Sequence, residues 1–250
     1  MTTPVDVVVL TWNDGALLDE AVASALASED VSVTVTVVDN GSDPPATVVG
    51  DPRVRLIRND ANAGVAPGRN QGVRATAAPY VCLLDSDAQL QPLALQALVE
   101  PFTIDPDIAV AGPVFTDQAP EASGGRAPTL ARKAARMLNL RDTYAPAPGT
   151  GTGRWWDVDF VIGACQLVRR TAFDAVGGLD EGYFYGPEDV DFCLRLRRAR
   201  WRVVQVAAAR VDHPPRRRHK RAVTLAGVRH GLAVARHHWR HRGFRSAVGS

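Results

Sequence analysis

Asp85-Ser86-Asp87 is the stretch of this 250-residue chain whose residue types and spacing most directly suggest chemistry. Two carboxylates two residues apart, just after an apolar run, can offer oxygen ligands to one hard divalent cation. Such a cation suits a diphosphate leaving group, whose negative charge grows as its bond breaks. Two more polar clusters end apolar runs in the same way, Thr11-Trp12-Asn13-Asp14 and Asp39-Asn40-Gly41-Ser42-Asp43. Asn, Asp, Gly and Ser also dominate turns for conformational reasons, so each cluster alone reads as turn or site. The three together favour a site that bonds a ribose, a base or a metal.

The elements that must carry these clusters alternate along the first half of the chain. Short β-branched or apolar runs at residues 5–10, 33–38, 54–57, 80–84 and 108–112 read as buried strands. Between them, residues 16–27 place Leu17, Leu18, Ala21, Val22, Ala25 and Leu26 on one helical face. Residues 65–77 and 92–102 read as two further helices, the last with Pro92 near its start. This alternation predicts an α/β fold, a mostly parallel central sheet with helices on both faces. Ligands of such sheets bind at the carboxyl ends of the strands, where the three polar clusters lie. Residues 117–154, rich in Gly, Pro, Ala and Arg, read as a mobile excursion with one basic amphipathic segment at 130–140. Order is expected again from Trp155: strands at 158–162 and 165–168 around Gly163-Ala164, a short helix at 171–176, a helix at 189–199, a strand at 203–211 and a final helix at 225–239.

Taken in order, Val7 to Asn13, Val37 to Ser42, Asn59 to Gly64 and Leu83 to Asp87 resemble the family 2 glycosyltransferases of the GT-A fold. Gly178-Leu179-Asp180-Glu181 and the run from Gly186 to Arg195 resemble that family's second half, particularly its rhamnosyltransferase-like branch. The likeness spans about residues 5 to 213, which implies a GT-A domain at 1–215 and a basic helical extension at 216–250. It also implies inverting transfer of a sugar from a UDP, TDP or GDP sugar to an acceptor hydroxyl. Cell-envelope polysaccharide, glycolipid and natural-product glycosylation are the settings it suggests, with Mg or Mn as the divalent metal.

The resemblance implies roles residue by residue. Thr11 and Asn13 match the loop that touches the nucleotide, and Asp39 the carboxylate that meets base or ribose. Asn62, Gly64, Gly68, Arg69 and Asn70 match the segment against nucleotide and donor sugar. Asp85 and Ser86 match the donor side of the acidic motif, and Asp87 its metal-binding acid. His213 matches a histidine that completes the metal site, although Pro214-Pro215-Arg216 replaces the glycine-serine run found in relatives. Asp189 matches the general base, which the chemistry needs because an acceptor hydroxyl is a poor nucleophile until a carboxylate takes its proton. Glu188 shares that work or positions the acceptor. Asp191 reads instead as an acid favoured by a helix N-terminus. Gly163 and Ala164 match the stretch lining the acceptor and donor pocket. Trp155 and Trp156 border the acceptor or pack in the core.

Two other functions fit less well. A nucleotidyltransferase would carry a Gly-rich, basic loop where Thr11-Trp12-Asn13-Asp14 stands. A non-catalytic sugar-nucleotide or membrane-binding module would tolerate loss of Asp87 and Asp189, and both are present.

The net charge is only +2, but from Arg210 onward eleven Lys/Arg face one acid, Asp212, and all six histidines lie there. Such a tail suits an acidic partner. Leu225, Val228, Leu232, Ala235 and Trp239 form a helical stripe that would pack on the domain or lie on an anionic membrane, where a lipid-linked acceptor would be met. No nucleic-acid-binding module accompanies the charge. Cys82, Cys165 and Cys193 form no CxxC pair and read as buried thiols, in keeping with a reducing cytoplasm. No signal peptide or bilayer-spanning run is read from the sequence, so the expected location is cytoplasmic, with peripheral membrane contact.

Overall fold

The computed structural model describes residues 2–116, 123–127, 154–214, 236, 237, 239–242 and 244. In chain order the elements are β1 (Thr3–Thr11), α1 (Ala16–Leu26), β2 (Val31–Asp39), β3 (Val54–Arg58), α2 (Val65–Arg74), β4 (Tyr80–Asp85), β5 (Gln89–Leu90) and α3 (Ala94–Ile104). There follow β6 (Ile108–Phe115), β7 (Gly124–Gly125), β8 (Trp155–Asp157), β9 (Phe160–Val161), β10 (Cys165–Arg169), α4 (Arg170–Ala175), α5 (Glu188–Arg198) and β11 (Arg202–Asp212).

Strand periodicity accounts for two cores. Successive side chains of a strand point to opposite faces of the sheet. In β1, Val5, Val7 and Val9 join one buried cluster with α1 and α3, including Leu18, Ala21, Leu95 and Leu98. Val8 joins a second cluster with α2, α4 and α5, including Val73, Phe173, Phe192 and Leu196. A strand covered on both faces is mostly apolar, which is why β4 reads as a hydrophobic run and β1 as one broken only by Asp6, whose carboxylate accepts the Ala77 N–H at 2.8 Å and the Ala78 N–H at 2.6 Å.

Among the described residues the main sheet has the order β3-β2-β1-β4-β10-β6-β11-β5, with β8 also pairing β11. β3, β2, β1 and β4 are mutually parallel, and β6 is parallel to β11. β10 runs antiparallel to both β4 and β6, so those two strands share one direction across it. The expected mostly parallel α/β sheet is present. The reversal of β10 is a feature that hydrophobic runs do not encode, because a buried strand looks the same in either direction.

Other differences are local. Of the strand expected at 158–162 only Phe160–Val161 forms, as β9, and a separate short strand, β8, precedes it at Trp155–Asp157. Within the stretch read as an excursion, Gly124–Gly125 pairs with β9 as β7, and Ser123 and Ala127 are buried. The amphipathic segment at 130–140 lies outside the described residues, as does most of the helix expected at 225–239. The three cysteines are buried and unpaired, as their apolar surroundings predict.

Candidate active site

The three polar clusters meet at one edge of the sheet, because parallel register brings the strand ends level. Thr11 is in register with Asp39, and Leu10 with Asp85. Hydrogen bonds then tie the loops together. The Asn40 N–H donates to the Thr11 carbonyl at 2.9 Å, and the Asn13 N–H to Ser42 Oγ at 3.0 Å. Asn13 Oδ1 accepts the Asp43 N–H at 2.8 Å, and the Ser86 hydroxyl donates to Asp14. Asn13 itself adopts φ 60°, a conformation asparagine tolerates better than most side chains.

Asp39 is fully buried. One carboxylate oxygen accepts the Ser42 N–H at 2.9 Å; the other accepts the Ala46 N–H at 3.0 Å and the Arg58 guanidinium at 2.6 Å. Burial opposes its charge, but the Ser42, Ala46 and Arg58 contacts together hold its carboxyl below the usual range. Asp39 therefore fixes the conformation of the loop that follows β2. Arg58 was not among the residues expected from sequence; the register of β2 on β3, which sets Asp39 opposite Arg58, is the signal that would find it.

Asn40 organises the next segment. Its amide donates to Asn62 Oδ1 at 3.0 Å and to the Gly64 carbonyl at 3.1 Å, and its oxygen accepts the Ala63 N–H at 3.1 Å. Asn62 Oδ1 also accepts the Gly64 N–H at 2.9 Å. Gly64 enters α2 at φ 100°, where an added Cβ would lie 2.8 Å from the Phe184 carbonyl. Only glycine meets both demands. Gly68 lies against Leu10 of β1, so its lack of a side chain lets α2 approach the sheet.

Arg69 and Asn70 reach from α2 into the second half of the molecule. Asn70 donates to the Leu179 carbonyl at 2.8 Å and accepts the Leu179 N–H at 3.0 Å, a two-way clamp on that segment. Arg69 is buried, donating to Asp85 at 2.5 Å and to the Gly163 carbonyl at 2.8 Å, with Glu188 3.8 Å away. Burial disfavours its charge, but Asp85, Glu188 and Asp189 together hold it cationic. An added Cβ on Gly163 would sit 2.6 Å from Arg69 Nη1, so a larger residue here would push the guanidinium aside.

The opposite wall is the N-terminus of α5. Asp189 accepts the Gly163 N–H at 2.8 Å and the Val190 N–H at 2.8 Å. Glu188 is buried, and its Oε2 has no hydrogen-bond partner among the described residues. Burial, reinforced by Asp189, pushes the Glu188 carboxyl up to about 7 against the pull of Arg69. Burial also raises the Asp189 carboxyl, against the Gly163 and Val190 N–H groups and Arg69. One guanidinium thus stands between an acid at the end of β4 and an acid pair at the start of α5.

Asp85, Asp87 and His213 place one potential ligand atom each within 4.8 Å of one another. Two carboxylates and one imidazole form a donor set that fits Mn and, less well, Mg. His213 Nε2 lies 3.6 Å from Asp87 Oδ1 and its ring packs on Phe115, so β11 delivers it to the acidic motif. Ala164 is buried beside these acids, and its carbonyl accepts the Asp85 N–H at 2.9 Å. Trp155 lies in one core and Trp156 packs against the other, the packing alternative for both.

This sheet, with an acidic motif ending a central strand, has the GT-A architecture. Two solved structures share it: GalNAc-T7 with UDP, GalNAc and Mn2+ (TM-score 0.66, 16% identity, 85% of this chain and 44% of that one) and the mannosyltransferase PcManGT of Pyrobaculum calidifontis with GDP-Man and Mn2+ (TM-score 0.65, 16% identity, 99% and 66%). Among curated proteins, the N-acetylglucosaminyl-diphospho-decaprenol L-rhamnosyltransferase of Mycobacterium tuberculosis is 31% identical over 238 residues, covering 85% of this chain and 76% of that protein. Residues 6–177 match the family model for glycosyl transferase family 2, and the chain belongs to that family. Among the described residues no helix is long and apolar enough to cross a membrane.

Proposed function

We propose that this glycosyltransferase moves a sugar, of the hexose or deoxyhexose class, from a nucleotide-diphosphate donor to an acceptor hydroxyl with inversion. The observation that carries the reading is Arg69, which contacts Asp85 on one side and approaches Glu188 on the other. Donor-side and base-side acids are thereby held a single guanidinium apart. Thr11, Asn13, Asp39 and Asn62 frame the nucleotide. Asp85, Asp87 and His213 would hold a divalent cation, which when bound offsets the charge of the departing diphosphate. Asp189 takes the acceptor proton as the oxygen attacks the sugar C1 from the face opposite the diphosphate. Glu188, with its raised affinity for a proton, shares that pair's load.

The Mycobacterium tuberculosis relative is named for a decaprenol-linked acceptor. A lipid-linked acceptor and peripheral membrane contact through the basic C-terminal residues follow as part of this reading. Calorimetry of UDP, TDP and GDP sugars with and without Mn tests the donor side. One sugar nucleotide should bind more tightly with metal; binding unchanged by metal for every donor would reject the metal assignment. NMR of the product should show the anomeric configuration inverted, and a retained configuration would reject single displacement.

A further inference from the structure

The last described residues of the chain close on the helix that carries the acid pair. Asp191 lies two residues after Asp189 on α5 and is fully buried. Arg195 Nε donates to its Oδ2 at 2.8 Å. Its Oδ1 meets the Tyr183 hydroxyl at 3.3 Å, His241 Nε2 at 2.8 Å and Arg240 at 3.5 Å. Burial works against its charge, but His241, Arg195 and Arg240 lower its carboxyl to about 2. An ionised carboxylate only accepts hydrogen bonds, so the hydrogen between it and His241 sits on Nε2.

A second acid is gripped by the same segment. Asp180 accepts Arg236 at 2.9 Å and also pairs with Arg240, while the Arg236 guanidinium lies 5.3 Å from the centre of the Tyr183 ring. Between Asp180 and Asp191 the chain passes through Phe184, which touches Gly64 of the donor half, and arrives at Glu188-Asp189. The connection is therefore held by Asn70 on Leu179, Arg236 and Arg240 on Asp180, the Val65 N–H on the Phe184 carbonyl, and His241 on Asp191.

Asp191, His237 and His241 are also close enough to share a metal ion, with ligand atoms within 4.8 Å. The local charge argues against that use. Arg195, Arg236 and Arg240 already face the two acids, and a dication would add to an excess of positive charge in a buried place.

We infer that His241, Arg236 and Arg240 are positioning residues for the transfer: they clasp the chain from Asp180 to Asp191 and so set where Glu188 and Asp189 stand relative to the donor. The inference rests on the base assignment made above. Catalytic alignment is steep in distance, since a shift of ~1 Å can cost ~100-fold in rate. The donor cradle is built by the ends of β1, β2 and β4 and the start of α2; none of these three residues touches it in the contacts described above, and the clasped chain meets it at Phe184, whose carbonyl accepts the Val65 N–H at 2.8 Å. Rate and donor affinity should therefore separate.

The test compares the full chain with His241→Phe, His241→Gln and the double variant Arg236→Ala/Arg240→Ala. For each, kcat, donor affinity by calorimetry with Mn, and the melting curve are measured. His241→Phe and the arginine pair should lower kcat ~10–100-fold with donor affinity unchanged. His241→Gln, which still offers an N–H, should recover most of the rate. The inference is overturned if both altered proteins turn over within about twofold of the wild type. It is equally overturned if glutamine is no better than phenylalanine, or if the rate falls only in step with donor affinity or folded fraction. Asp189→Asn is run in parallel. An active Asp189→Asn protein rejects the base assignment itself, whereas an inactive one beside fully active clasp variants rejects the clasp alone.

Discussion

The first turn of α5 holds acids with opposite fates. Asp191 has both oxygens engaged, by Arg195 on one side and by Tyr183 and His241 on the other, and its carboxyl is lowered to about 2. Glu188 is just as buried, keeps one oxygen without a partner among the described residues, and is pushed up to about 7. Burial acts on both in the same direction, so the partners decide the sign. Asp191, paired with Arg195 and His241, fixes structure, whereas Glu188, with Oε2 lacking a partner among the described residues, retains the capacity to take a proton. The macrodipole, the sequence-based reason for an acid at position 191, is a smaller effect than the contacts that hold it.

That contrast can be broken or sharpened by substitution. Asp189→Asn should lower the transfer rate by ~10²–10⁴-fold with donor binding kept, measured as kcat beside calorimetry. Full activity would place the base elsewhere. Asp191→Ala should act on stability, costing about 3–5 kcal/mol in chemical denaturation because Arg195 loses its buried counter-charge. Its linkage has a definite sign: a lowered carboxyl stabilises the fold above its unfolded value, and this support is lost as pH falls toward about 2. Asp87→Ala should weaken metal-dependent donor binding by at least ~10-fold while leaving metal-free binding alone.

Glu188→Gln is the smallest change and the most diagnostic. Because its folded carboxyl is raised, Glu188 contributes stability that is fully present below the ordinary carboxylate range and is lost as pH rises from there through about 7. The glutamine protein should therefore melt ~2–4 °C higher than wild type at pH 8, with no gain at pH 4. In the wild type, kcat should decline as pH falls below about 7, and the glutamine variant should show that limb displaced. An unmoved limb would assign it to Asp189 alone.

Much of this is legible in the amino-acid sequence. Runs such as Val7 to Leu10 and Tyr80 to Leu84 identify central strands because a strand covered on both faces has few polar positions to spare. The polar clusters after them identify the functional edge because parallel strands end level. Partners are harder to read. Asp39 is singled out by its place, but Arg58 beside it requires knowing how β2 and β3 align. Asn70, implied by resemblance to face the donor, spends its amide on Leu179, more than a hundred residues away. The grip of His241 on Asp191 spans fifty residues and follows no periodicity. Long-range pairing of side chains depends on topology, and local pattern carries no record of it.

The reversed strand β10 has a consequence for how such a site can change over time. β4 runs toward the functional edge and β10 runs away from it, so the end of one lies beside the beginning of the other. The seam between them, Asp85 N–H to Ala164 carbonyl at 2.9 Å, is made by main-chain atoms. Side chains around that seam can be exchanged by mutation without unfastening it. A lineage could thus retune which sugar or acceptor fits while the two halves of the site remain in alignment.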